Sequence, residues 1–196
     1  MLLNQSYLEN VSRERSVFLE TNQSQILHEN QRISFSTKTF DLFLSHSYLD
    51  RKLIYAIVYT FNNAGYSVYV DWMEDTQLDR SRINQTTAET LRQQMDGCSG
   101  LAYISTENIS NSKWCPWELG YVDGKKNGRC AILPVVKTGS DSFVGQEYLS
   151  IYPYIDYEEP KGGGKKDFWV NDPNDHSYYV RLRQWLDGKD PYVHND

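Results

Sequence analysis

The chain has 196 residues, enough for one domain with a proper core and some additional length. Its formal charge is −6 and it has no long basic run, which argues against nucleic acid or an anionic membrane as a partner held by bulk charge. Apolar residues make up 39%, and no stretch approaches the roughly 18 consecutive apolar residues of a membrane span.

Residues 1–38 are polar and rich in Asn, Gln and Ser, with Val17, Phe18, Ile26, Leu27 and Ile33 as apolar exceptions. They read as an N-terminal arm or as short helices packed on the domain. A domain is predicted over 39–190, with 191–196 as a tail. FDLFLS at 40–45 is a short apolar run followed by polar turn residues, so it reads as a buried strand. Leu49, Leu53, Ile57 and Phe61 then recur at helical spacing, which predicts an amphipathic helix over 49–63. Asn63-Ala64-Gly65 stops it.

YSVYVDW at 66–72 is the second strand, and a long polar loop follows to about residue 85. A helix is predicted over 86–98, capped by Thr86 or Thr87. GLAYIS at 100–105 is the third strand. A short helix over 113–126 and a strand at 129–137 come next. EYLSIYPYIDY at 147–157 holds a candidate fifth strand, and SYYVRLRQWLD at 177–187 reads as a closing helix. Strands that are apolar without strict alternation belong to a parallel sheet covered on both faces. The fold class is therefore α/β, three-layered, around a central parallel sheet of about five strands. Ligands of such sheets bind beyond the carboxyl ends of the strands, where the strand order reverses.

Four features fall at those strand ends. SHSYLD after the first strand offers hydroxyls and backbone N–H groups that either cradle a phosphate or simply cap the next helix through Ser47 or Asp50. Asp71 ends the second strand, where it either accepts bonds from ribose hydroxyls or braces the loop. The loop itself carries Glu74, Asp75, Asp79, Arg80 and Arg82, charges that are ordinarily just solvated. The fourth feature is SKWCPWELGY at 112–121. Trp114 and Glu118 sit at i and i+4 and share a helix face. Pro116 suits the first turn, where its missing N–H costs nothing. A carboxylate among indole rings has a raised pKa if partly buried, and it steadies a developing cation or moves a proton. Otherwise the tryptophans are core and Glu118 is a solvated first-turn acid. Catalysis by Ser45, His46 and Asp71 as a triad is weak, because no GxSxG elbow is present. Cys98, Cys115 and Cys130 have no CxxC spacing, and the four histidines are scattered, so no metal site is expected. The opening residues contain no signal-peptide core, and a reducing cytoplasm is the simplest compartment.

FDLFLSHSYLD, GYSVYVDW, GLAYIS, the Trp-x-x-x-Glu helix and AILPVV, in this order, resemble the Toll/interleukin-1 receptor (TIR) domain family over residues 39–137. The resemblance implies a flavodoxin-like fold and identifies the loop after the second strand with the family's BB loop, a usual contact surface in homo-oligomers. Some members are signalling adaptors. Others cleave NAD+ at the nicotinamide–ribose bond, with NAD+ as substrate and no cofactor. Carried over, the essential glutamate of those enzymes is Glu118. The cleft residues would be Phe43, Ser45, His46, Ser47, Asp71 and Trp114. Within the family the chain resembles the sensors of the bacterial Thoeris antiphage system. That implies a cyclic ADP-ribose-type product acting on a separate effector, and a phage-derived trigger. The competing expectation is a non-catalytic scaffold that works by assembly. A receiver-type protein is disfavoured, since Asp41 lies within its strand and Asp71 alone makes no Mg²⁺ cluster.

Overall fold

The computed structural model describes residues 2–14, 39–74, 84–138 and 147–194. Most of the long loop, at 75–83, lies outside the described residues, as do Val17, Phe18, Ile26, Leu27 and Ile33.

The chain starts with strand β1 (Leu3–Asn4) and helix α1 (residues 5–14). Leu3 and Leu8 are buried in the core, so the first residues belong to the domain. Strand β2 (Phe40–Ser45), helix α2 (Arg51–Asn63) and strand β3 (Val68–Tyr69) follow. Then come α3 (Asp71–Glu74), α4 (Gln85–Asp96), β4 (Cys98–Ser105), α5 (Cys115–Lys125) and β5 (Cys130–Val136). The chain closes with β6 (Tyr154–Glu158), β7 (Asp167–Asn171), β8 (Tyr178–Arg181), α6 (Leu182–Leu186) and β9 (Tyr192–Val193).

The sheet runs β3-β2-β4-β5-β6-β7-β8-β9, with β1 paired to the end of β5. From β3 to β6 every pairing is parallel, as expected for the family's sheet. Beyond β6 the pairings turn antiparallel, which extends the sheet past the five strands read from the sequence. The stretch 177–187 is not one helix. Val180 and Leu182 are buried two residues apart, which a strand also satisfies, and β7 offers an open edge on which Val170 pairs with Val180. Only Leu182–Leu186 turns into a helix.

Alternation along the central strands divides the core in two. Leu42, Leu44, Ala102, Ile104, Ala131 and Leu133 face one side, with Ile54, Ile57 and Phe61 of α2. Phe43, Leu101, Tyr103, Cys130 and Ile132 face the other, with Leu91 of α4 and Leu119 and Val122 of α5. Each such large side chain taken fully out of water contributes about 1.5–3 kcal/mol. Leu49 is an exception to the predicted apolar stripe at 65% exposure, because residues 48–50 form a 3-10 turn and α2 begins only at Arg51. The helix stop is as read: Gly65 adopts φ +86°, a conformation glycine takes at no steric cost.

Candidate active site

From β2 the chain crosses to β3 on one side, and β4 then pairs on the other side of β2. The order therefore reverses between β2 and β4, and the crevice of such a sheet opens at their carboxyl ends. Ser45 is the last residue of β2, opposite Tyr103 of β4. By alternation it points to the same face as Phe43, and α5 covers that face. Pro116 sits in the first turn of α5, and the Glu118 N–H reaches the Trp114 carbonyl at 2.8 Å. This turn lays the Glu118 side chain over the end of β2. It is 0% exposed, and the Ser45 hydroxyl donates to its Oε2 at 2.6 Å. A short bond of this kind fixes the carboxylate in direction as well as place. The sequence left Glu118 either solvated or partly buried; it is wholly enclosed.

His46 is equally committed. Its Nδ1 lies 2.8 Å from the Leu44 carbonyl, an acceptor only, so Nδ1 carries the proton. Its Nε2 accepts from the Trp72 indole N–H at 2.8 Å. These bonds define a neutral imidazole with both nitrogens engaged. Asp71 Oδ1 is 3.8 Å from Nε2, and Asp71 is itself buried. The Ser45 proton goes to Glu118 rather than to His46, so a Ser45–His46–Asp71 triad does not form. The His46 carbonyl accepts from the Cys115 thiol at 3.2 Å, which ties the end of β2 to the start of α5. Neither Trp72 nor Cys115 was singled out for this role in the sequence. Each is adjacent to a residue that was, and adjacency to Asp71 and Trp114 is the only signal the sequence holds.

Ser47 caps the 3-10 turn by accepting from the Leu49 N–H at 3.4 Å. Asp50 caps nothing. Its two oxygens accept from the Thr106 hydroxyl and the Asn108 amide, each at 2.6 Å, and so brace the loop after β4 against the loop after β2. Phe43 is 1% exposed and stacks on Tyr69 at 5.2 Å, beneath the site rather than lining an opening. Trp114 is 8% exposed and meets Trp117 edge-on at 5.4 Å, with Tyr121 stacked beyond. Ser45, His46, Asp71, Trp114 and Glu118 thus converge on one edge of the sheet. Among the described residues, no group of His, Cys, Asp or Glu is arranged to hold a metal ion. A cavity of ≈ 250 Å³ lies elsewhere, at the opposite edge, where Arg129 and Pro153 precede β5 and β6. No helix among the described residues is long and apolar enough to cross a membrane.

The family model of the TIR domain matches residues 42–167. The chain belongs to the TIR-domain family. That span contains every site residue assembled above. A TIR relative from Bacillus cereus (strain MSX-D12), named probable 3′ cyclic ADP-D-ribose synthase ThsB′, is 42% identical over 188 residues, 94% of each chain. A protein of Cytobacillus dafuensis, named putative cyclic ADP-D-ribose synthase TIR2, is 33% identical over 85 residues, 43% of this TIR chain and 22% of that protein.

Proposed function

We propose that this TIR domain cleaves the nicotinamide–ribose bond of NAD+ and closes the remaining ADP-ribose into a cyclic product. The observation that carries the proposal is the Glu118 carboxylate, fully buried and aimed by Ser45 at the reversal point of the sheet. The names of the two relatives supply the product class. As the glycosidic bond breaks, its electron pair leaves with nicotinamide, which departs neutral. The ribose becomes an oxocarbenium-like cation. Glu118 lies against that cation and stabilises it through charge, as a preoriented anion in a site closed to water. A hydroxyl of the adenosine end then attacks the anomeric carbon, and its proton passes to Glu118 or to solvent. If water attacks instead, linear ADP-ribose results. Trp114 and Trp117, which meet edge-on at the start of α5, are assigned to keep water from the cation and so favour the internal nucleophile. Asp71 is assigned to a ribose hydroxyl. Ser47 contributes by shaping the turn, and Phe43 by supporting the floor. His46 acts by position, since both of its nitrogens are engaged. NAD+ serves as substrate, and the chemistry calls for no other cofactor.

In this reading the cyclic product diffuses to a separate effector, and an infection-derived component triggers synthesis. Assembly through the loop after β3 would serve that activation; its residues 75–83 lie outside the described ones. The test is Glu118→Gln. The amide still accepts from Ser45, so the fold persists, while nicotinamide release from NAD+ falls by about 10²-fold or more. Mass spectrometry of the nucleotide products separates cyclisation from hydrolysis. Undiminished turnover in the variant would falsify the assignment of Glu118.

A further inference from the structure

We propose that Arg51, clamped between Tyr48 and Trp72, is the subsite for the diphosphate of the dinucleotide substrate. The proposal rests on the NAD+ reading above and extends it to a residue that neither the motifs nor the family resemblance singled out.

The guanidinium carbon of Arg51 lies 4.7 Å from the Tyr48 ring centroid and 4.9 Å from that of Trp72. Its Nη1 donates to the Tyr48 hydroxyl at 2.6 Å. Aromatic contacts of this kind hold the guanidinium plane and leave much of its N–H edge available. Among the described residues, Arg51 has no carboxylate within ion-pair distance. Its neighbour Asp50 turns away, with both oxygens occupied by Thr106 and Asn108.

Arg51 is also connected to the catalytic end of the sheet. Its guanidinium lies over the Trp72 ring, Trp72 bonds His46, and His46 follows Ser45, which holds Glu118. Arg51, six residues past the end of β2, and Glu118, bonded to its last residue, thus both lie at the carboxyl end of β2, the cation on the α2 side and the carboxylate on the α5 side. NAD+ has the complementary pattern: a cationic nicotinamide riboside at one end and a diphosphate next to it. A guanidinium presents paired donors to phosphate oxygens, the geometry Arg recognises best. Tyr48 is 65% exposed and Arg51 is exposed, so both are open to a ligand.

The experiment uses the full chain carrying Glu118→Gln, so that ligand is bound and not consumed. Calorimetric titration with ADP-ribose and with nicotinamide riboside compares Arg51 with Arg51→Met and Arg51→Lys. The expected result is about tenfold weaker ADP-ribose binding in the Met variant, an intermediate loss in the Lys variant and unchanged nicotinamide riboside binding. In the otherwise native enzyme, KM for NAD+ rises while kcat holds. ADP-ribose affinity within twofold of the parent would overturn the proposal, as would an equal loss for both ligands, which marks a structural role. If the Met variant fails to fold, Lys decides in the same way. A parent that binds neither ADP-ribose nor nicotinamide riboside would sink the NAD+ reading and this subsite together. A parent that binds both, with Arg51 variants unaffected, removes the subsite alone.

Discussion

Ser45 has one proton, and the fold gives it to Glu118. A carboxylate taken fully out of water is costly unless its oxygens meet donors, so this bond sustains the site as well as aiming it. Ser45→Ala removes that donor and is expected to cost about 1–3 kcal/mol of stability, measured by urea unfolding. The loss should shrink when Glu118 is already Gln, because a neutral amide demands less of its surroundings than an anion. A double-mutant cycle reads this coupling directly. Strict additivity of the two substitutions would mean that Ser45 contributes to the strand end and not to the carboxylate. Nicotinamide release by Ser45→Ala should fall with the coupling.

The central strands were legible as elements because both of their faces are covered, so they read as unbroken apolar runs. β2, β4 and β5 stand close to where such runs predict them. The antiparallel strands beyond β6 were not, since their pattern fits helix and strand alike and the partner edge decides. Glu118 was legible because Trp114 precedes it by one helical turn. The His46–Trp72 bond was not, since it joins residues 26 apart through ring nitrogens whose roles only geometry assigns. Helix caps show the same limit. Thr86 or Thr87 was the expected cap of α4, yet Asn84 supplies it, its Oδ1 accepting from the Thr87 N–H at 2.8 Å. Asn84→Ala should therefore cost about 0.5–2 kcal/mol. Thr86→Ala, at an exposed position, should leave the melting temperature nearly unchanged. The reverse ranking in thermal melts would return the cap to Thr86.

The site is built on the core of the whole molecule, and the cysteines report on that. Cys98, Cys115 and Cys130 are all free and buried in the apolar cluster that joins β4, α5 and β5. Their thiols donate to the carbonyls of Gln94, His46 and Leu119. Burial pushes the Cys98 and Cys130 thiols well above the ordinary range, with little thiolate left to react at neutral pH. The native protein should accordingly resist an aromatic disulfide reagent and yield all its thiols in denaturant. Because the three share one cluster, they should become reactive together, at the rate of global opening. Cys115 is the informative one, since its thiol holds the carbonyl of His46 at the catalytic edge. Were Cys115 labelled under native conditions while Cys98 and Cys130 stayed protected, the first turn of α5 would open separately from the core. Glu118 would then be a carboxylate exposed in a subset of molecules, and its fixed aim at the substrate could not be a property of the resting fold.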